Sequence, residues 1–158
     1  MIRIHSLPPA LRLYSNEHDI AECDVLKLIL TGHLLDCYEV MYWPFVVEAV
    51  NGKSRGGDAD TFVRKGLRMC VERIDKNESG FYHRHHGIWL TLRSCTRSAL
   101  VLLAARNSPD LCLSMPPDWE TAIEKVMAML RFWQTESRDA RDRLNILKAL
   151  LRKEMGES

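Results

Sequence analysis

The chain has 158 residues, enough for one domain with its own core, and its 46% hydrophobic and 27% charged residues match a globular rather than a disordered composition. Twenty-two basic residues against 21 acidic ones leave a formal net charge of +1, spread along the chain, so no bulk field draws it to nucleic acid or to a membrane surface. No run of eighteen apolar residues occurs and the N-terminal stretch lacks the apolar core of a signal peptide, so neither a membrane span nor secretion is expected.

Residues 1–18 are expected to form an extended arm, because Pro8 and Pro9 block helix while Leu7, Leu11 and Leu13 offer apolar anchors to the body. A single helical domain over 19–155 follows, then a tail at 156–158. Asp19 and Glu22 resemble a capping box, and Leu26, Leu30, Leu34, Cys37 and Met41 recur at spacings of three and four. Leu28, Ile29 and Leu35 widen that stripe, which predicts a first helix buried on more than one side. Pro44 is expected to kink or end it near Tyr42 and Trp43, with helix resuming from Phe45 to Val50 before Asn51 and Gly52.

The segment Gly52 to Gly57 reads as a loop; it lacks the spacing of a phosphate-binding loop and follows no strand. Asp58 is placed as the cap of a second helix with a core face of Val63, Leu67, Cys70 and Ile74, ending over Asn77 to Gly80. Arg64, Lys65, Arg68 and Arg73 on its other faces read as a solvated basic surface, since no aromatics interleave with them. A third helix is predicted from the histidines at 83–86 to about Arg106, with Ile88, Trp89, Leu92, Cys95, Ala99, Leu102 and Leu103 inward. Pro109, Pro116 and Pro117 mark an irregular connection. Asp118 then starts a fourth helix, with Trp119, Ile123, Val126, Met127, Leu130 and Trp133 facing the core. Ser137 and Asp139 suit the start of a fifth, carrying Leu144, Leu147, Leu150 and Leu151. No segment alternates with period two, so the fold is read as all-α, about five helices in an irregular orthogonal or bundle-like array.

Cys23, Cys37, Cys70, Cys95 and Cys112 form no Cys-x-x-Cys pair, which removes zinc ribbons and thioredoxin-type redox motifs. Set mostly in apolar helical surroundings, they read as small hydrophobes of a reducing, intracellular compartment, nuclear or cytoplasmic. His83 and His86 on a helix would share a face and suit two imidazole ligands. Spacing fixes no third ligand among Cys112, Asp110 and Glu39, so His83 and His85 are read chiefly as hydrogen-bonding backbone or carboxylate groups at a helix start, and neither metal nor cofactor is expected. Arg84, Arg93 and Arg97 sit on or beside an apolar helix and need carboxylate partners, for which Glu39 and Glu48 are the natural choices. The aromatic residues serve a core without further explanation. As a ligand pocket, the set would be Tyr38, Tyr42, Trp43, Trp89, Arg93 and Arg97. No nucleophile elbow, activated cysteine or carboxylate pair is present.

One arrangement is more specific. Tyr38 and Glu39 precede Tyr42, Trp43, Pro44 and Phe45; a histidine-rich run from His83 leads into Gly87 and Trp89; and Pro117 and Trp119 open a helix that closes on Trp133. In this order and spacing, over roughly residues 20 to 150, the chain resembles the C-terminal regulatory region of fungal zinc binuclear cluster transcription factors. The resemblance implies effector sensing, autoinhibition and dimerisation, not catalysis. The family's DNA-binding cluster of closely spaced cysteines has no counterpart here, so direct nucleic-acid binding is not carried over, and the chain is expected to be either an excised portion or a naturally short relative. A homo-oligomer, or a heterodimer with a related protein, is the expected assembly, with a small-molecule effector as a further partner. The competing reading is a small free-standing enzyme or ligand-binding protein of fungal secondary metabolism. As an isomerase, cyclase or lyase it would use His83, His85, His86 or Tyr82 as acid, base or hydrogen-bond donor.

Overall fold

A computed structural model describes residues 24–52, 57–84, 87–109, 111 and 114–154, with side chains placed from 30 to 152 within those ranges. The expected arm and tail, the capping box at Asp19 and Glu22, and His85 and His86 lie outside the described residues. The described residues form five α-helices: α1 (Asp24–Val50), α2 (Asp58–Asn77), α3 (Ile88–Arg106), α4 (Trp119–Trp133) and α5 (Arg138–Glu154). Among the described residues there is no strand, and the all-α reading holds.

α2 and α3 form the middle of the molecule. α1 packs chiefly on α2 and only lightly on α3, α4 packs on both α2 and α3, and α5 on α4 and α3. The core they enclose is the periodic set read from the sequence: Val63, Leu67, Cys70 and Ile74 of α2, Leu92, Cys95, Ala99, Leu102 and Leu103 of α3, Ile123, Val126, Leu130 and Trp133 of α4, and Leu144 and Leu147 of α5 are all buried. Ser137 caps α5 as its position suggests, its Oγ accepting the Ala140 N–H at 3.2 Å.

Several local expectations are overturned. α1 runs without interruption through Pro44. Proline lacks the N–H that would bond the Val40 carbonyl, but Pro44 and Val40 are both exposed residues of the helix, so that carbonyl is not sealed in the core without a partner. The inward face of α1 is also differently phased: Leu35 and Val46 are buried, while Cys37 and Met41 are exposed. Asp58 is not a cap, because α2 follows Gly57 with no side-chain cap bond; Asp58 and Asp60 instead place negative charge in the first turn, where the helix dipole favours it. α3 begins at Ile88, after the histidines, and Trp89 stays 45% exposed. α3 is also long and apolar enough to cross a membrane by composition, which a search for unbroken apolar runs does not detect. Half of that stretch is buried against other helices, the setting of a core helix.

The α1–α2 crossing depends on Gly66, where the two helices approach most tightly. A Cβ there would lie 2.7 Å from Cγ2 of Val46 and 3.1 Å from Cβ of Tyr42. Val46 is buried and β-branched, so it has little room to yield. Gly66→Val is therefore expected to lower stability by about 2–3 kcal/mol in urea unfolding, overpacking outweighing the small gain in helix propensity. An unchanged midpoint would show that α1 shifts freely on α2.

Candidate functional site

α1 contributes Asp36 and Glu39, three residues apart on one face. α2 contributes Arg73, whose side chain is 2% exposed, and α3 contributes Arg97, about half exposed. Arg73 donates from Nη1 to Glu39 Oε2 at 2.6 Å and reaches Asp36 Oδ1 from Nη2 at 3.1 Å. Arg97 donates from Nη2 to the same Glu39 Oε2 at 2.6 Å, and its Nε bonds Oε1. One carboxylate thus holds two guanidiniums from different helices, with Arg97 engaged on a bidentate edge. Glu39 joins α1 to α3 across a line where few other contacts exist.

Beside this cluster, the C-terminal parts of α1 and α3 enclose an open groove of about 300 Å³. Trp43, Val46, Val47 and Val50 form one wall, Leu100, Val101 and Ala104 the other, with Arg97 and Asn51 as the polar groups. Among the described residues no carboxylate lines it. The apolar surface continues out of the groove along α1, where Val40 is 75%, Met41 57% and Trp43 42% exposed. Val40, Trp43, Val47 and Val50 recur at the three–four spacing of a helix-packing seam, exposed at Val40 and Trp43 and partly covered at Val47 and Val50, where the seam enters the groove. A second hollow of about 180 Å³ lies between α3 and α5, lined by Thr96, Leu100, Asp139, Asp142, Arg143 and Ile146. The hydrogen bond from Arg143 holds the Asp139 carboxyl below the usual carboxylate range.

The residues expected to share one pocket are divided among four places. Trp43 and Arg97 line the groove. Tyr38 and Tyr42 stack at 6.1 Å, and Tyr42 meets Phe62 of α2 at 6.3 Å, so they belong to the α1–α2 contact. Trp89 lies edge-on to Trp133 at 5.6 Å. Arg93 sits 4.0 Å from Asp139, on the α5 side. His83 and Tyr82 are exposed in the turn before α3 and line neither hollow. His83 lies outside any helix, and its expected companion His86 lies outside the described residues. Among the described residues, no group of three or more metal-ligating side chains is assembled.

The turn is instead anchored to α4. Phe81 is fully buried and its carbonyl accepts the Trp133 Nε1–H at 2.7 Å, while Arg84 bonds Glu136 at 2.6 Å and lies over the Trp133 ring. The expected pairing of Arg97 with Glu39 is present; Arg84 takes Glu136. Arg73 is the residue that sequence reading misplaced, since it lies in the core and not on a solvated face. Its position held the signal: it is three residues after Cys70 and seven after Gly66, on the α2 face that meets α1.

Burial pushes the thiols of Cys70 and Cys95 up to about 12. Of the described cysteines, Cys37 is exposed. Iodoacetamide labelling of the native protein at mild alkaline pH is expected to modify Cys37 rapidly and to spare Cys70 and Cys95 until denaturant is added. Equal labelling of all three would show the core opening on that timescale.

Compared with protein-family models, with curated proteins and with solved structures, the chain matches none.

Proposed function

We propose that this chain is a regulatory helical module that senses a small-molecule effector and dimerises, as its resemblance to the regulatory region of fungal zinc-cluster transcription factors suggests. The observation that carries this reading is the uncovered apolar face of α1, Val40, Met41 and Trp43, running directly into the α1–α3 groove. Exposed apolar surface of this kind, continuous and helically spaced, suits a partner rather than solvent. Trp43, Val47 and Val50 belong to both groove and face, so an occupant of the groove alters the surface offered to a second copy. That gives an effector differential contacts with two assembly states, which is the requirement for a population shift. The module acts inside the cell, nuclear or cytoplasmic, without contacting DNA itself.

Light scattering over a range of concentrations tests the assembly. The wild-type chain is expected to give a dimer mass, and Val40→Glu with Met41→Glu a monomer with unchanged helical circular dichroism, since both side chains are exposed. A wild-type chain that stays monomeric at high concentration overturns the dimerisation reading.

A further inference from the structure

We infer that the α1–α3 groove takes a small apolar ligand carrying a single negative charge, such as an aromatic carboxylic acid. The ligand class rests on the effector-sensing reading of the same groove. Its volume of about 300 Å³ is near the lower bound of the roughly 300–1,000 Å³ usual for ligand pockets, so it suits one compact ring system. The walls are aliphatic apart from the Trp43 indole, which offers a flat face to a ring.

Charge decides the rest. Among the described residues Arg97 is the one charged group in the lining, and no carboxylate offsets it there. Glu39 engages the Nε and Nη2 edge of Arg97 and is shared with Arg73, so its single negative charge is divided between two guanidiniums. Asp36, the other acid of the cluster, contacts Arg73 and is 60% exposed, where water screens it. Nη1 of Arg97 enters neither bond to Glu39 and is the donor left for a ligand in the groove. Its position is fixed in advance by Glu39, so an incoming carboxylate meets an ordered donor rather than a mobile one. Asn51 at the end of α1 supplies the second polar contact for orienting a ligand.

The test is isothermal titration of the full chain with 1-naphthaleneacetic acid and with its amide, which share shape but differ in charge at neutral pH. The wild-type chain is expected to bind the acid at least about tenfold more tightly than the amide, as a charge-assisted bond requires. Arg97→Gln should abolish that preference while leaving the amide's affinity unchanged. Ala104→Trp, which fills the groove from an exposed position, should remove binding of both. Equal affinities in the wild type, or an acid preference that survives Arg97→Gln, overturns the anionic ligand class but leaves an apolar effector groove standing. Binding of neither compound at millimolar concentration overturns the groove as an effector site altogether.

Discussion

Trp133→Ala is expected to lower the unfolding free energy by about 3–5 kcal/mol, the largest effect of any single truncation in this fold. Trp133 closes α4 as the largest fully buried side chain, and its ring touches Trp89 and Phe132 edge-on at 5.6 and 5.1 Å. Its indole N–H also satisfies the Phe81 carbonyl, so truncation leaves a cavity and an unpaired buried acceptor together. A marginal domain of this size would be largely unfolded at physiological temperature. Trp133→Phe, which keeps a ring but loses the donor, should lose about 1–2 kcal/mol less than the alanine variant in the same urea titration. If Trp133→Phe lost no stability, the hydrogen bond to the turn before α3 would be dispensable; if it lost as much as the alanine variant, the ring packing would be.

Glu39→Ala is the second large effect, expected at about 3–5 kcal/mol, because it leaves the Arg73 guanidinium buried with only Asp36 beside it. The partners should respond unequally. Arg97 is half exposed, so Arg97→Ala should lose only about 1 kcal/mol or less. Arg73→Met falls between the two, since Glu39 retains Arg97 when Arg73 is removed. The Glu39→Met, Arg73→Met double variant should recover most of what Glu39→Ala loses, because apolar replacement of a buried pair avoids the orphaned charge. Urea midpoints of the set check this order, and a Glu39→Ala variant no weaker than Arg97→Ala would contradict the shared-carboxylate geometry.

Where the hydrophobic pattern was one-sided, the sequence was a reliable guide. α2, α4 and α5 each carry one apolar stripe, and most residues their spacing names are buried, although Leu150 is exposed and Trp119 and Leu151 are only partly covered. α1 is apolar on nearly every side, so periodicity does not choose its inward face: Leu35, which only widened the expected stripe, is buried, while Met41 on the stripe itself is exposed. Pro44 misled for a related reason: a proline rule assumes an unserved carbonyl, and here that carbonyl belongs to an exposed residue. The histidine run drew attention as chemistry but lies before α3, with His83 exposed in a turn. Arg73 was read as solvated because charge outweighed position; its phase with Gly66 and Cys70 placed it in the core. The pairing of Arg97 with Glu39 was legible, because an arginine on an apolar helix needs a carboxylate. The groove beside it was not legible, because it is a gap between helices distant in sequence.

The most direct test of the regulatory reading is the dimer dissociation constant, measured by analytical ultracentrifugation with and without saturating 1-naphthaleneacetic acid. Trp43, Val47 and Val50 serve both the groove and the face, so ligand and second copy are expected to be coupled. The dissociation constant should shift by at least about fivefold in the wild type and remain unmoved in Ala104→Trp, whose filled groove binds no ligand. A chain that is monomeric throughout, or a dimer whose constant is the same with the groove saturated, would contradict it.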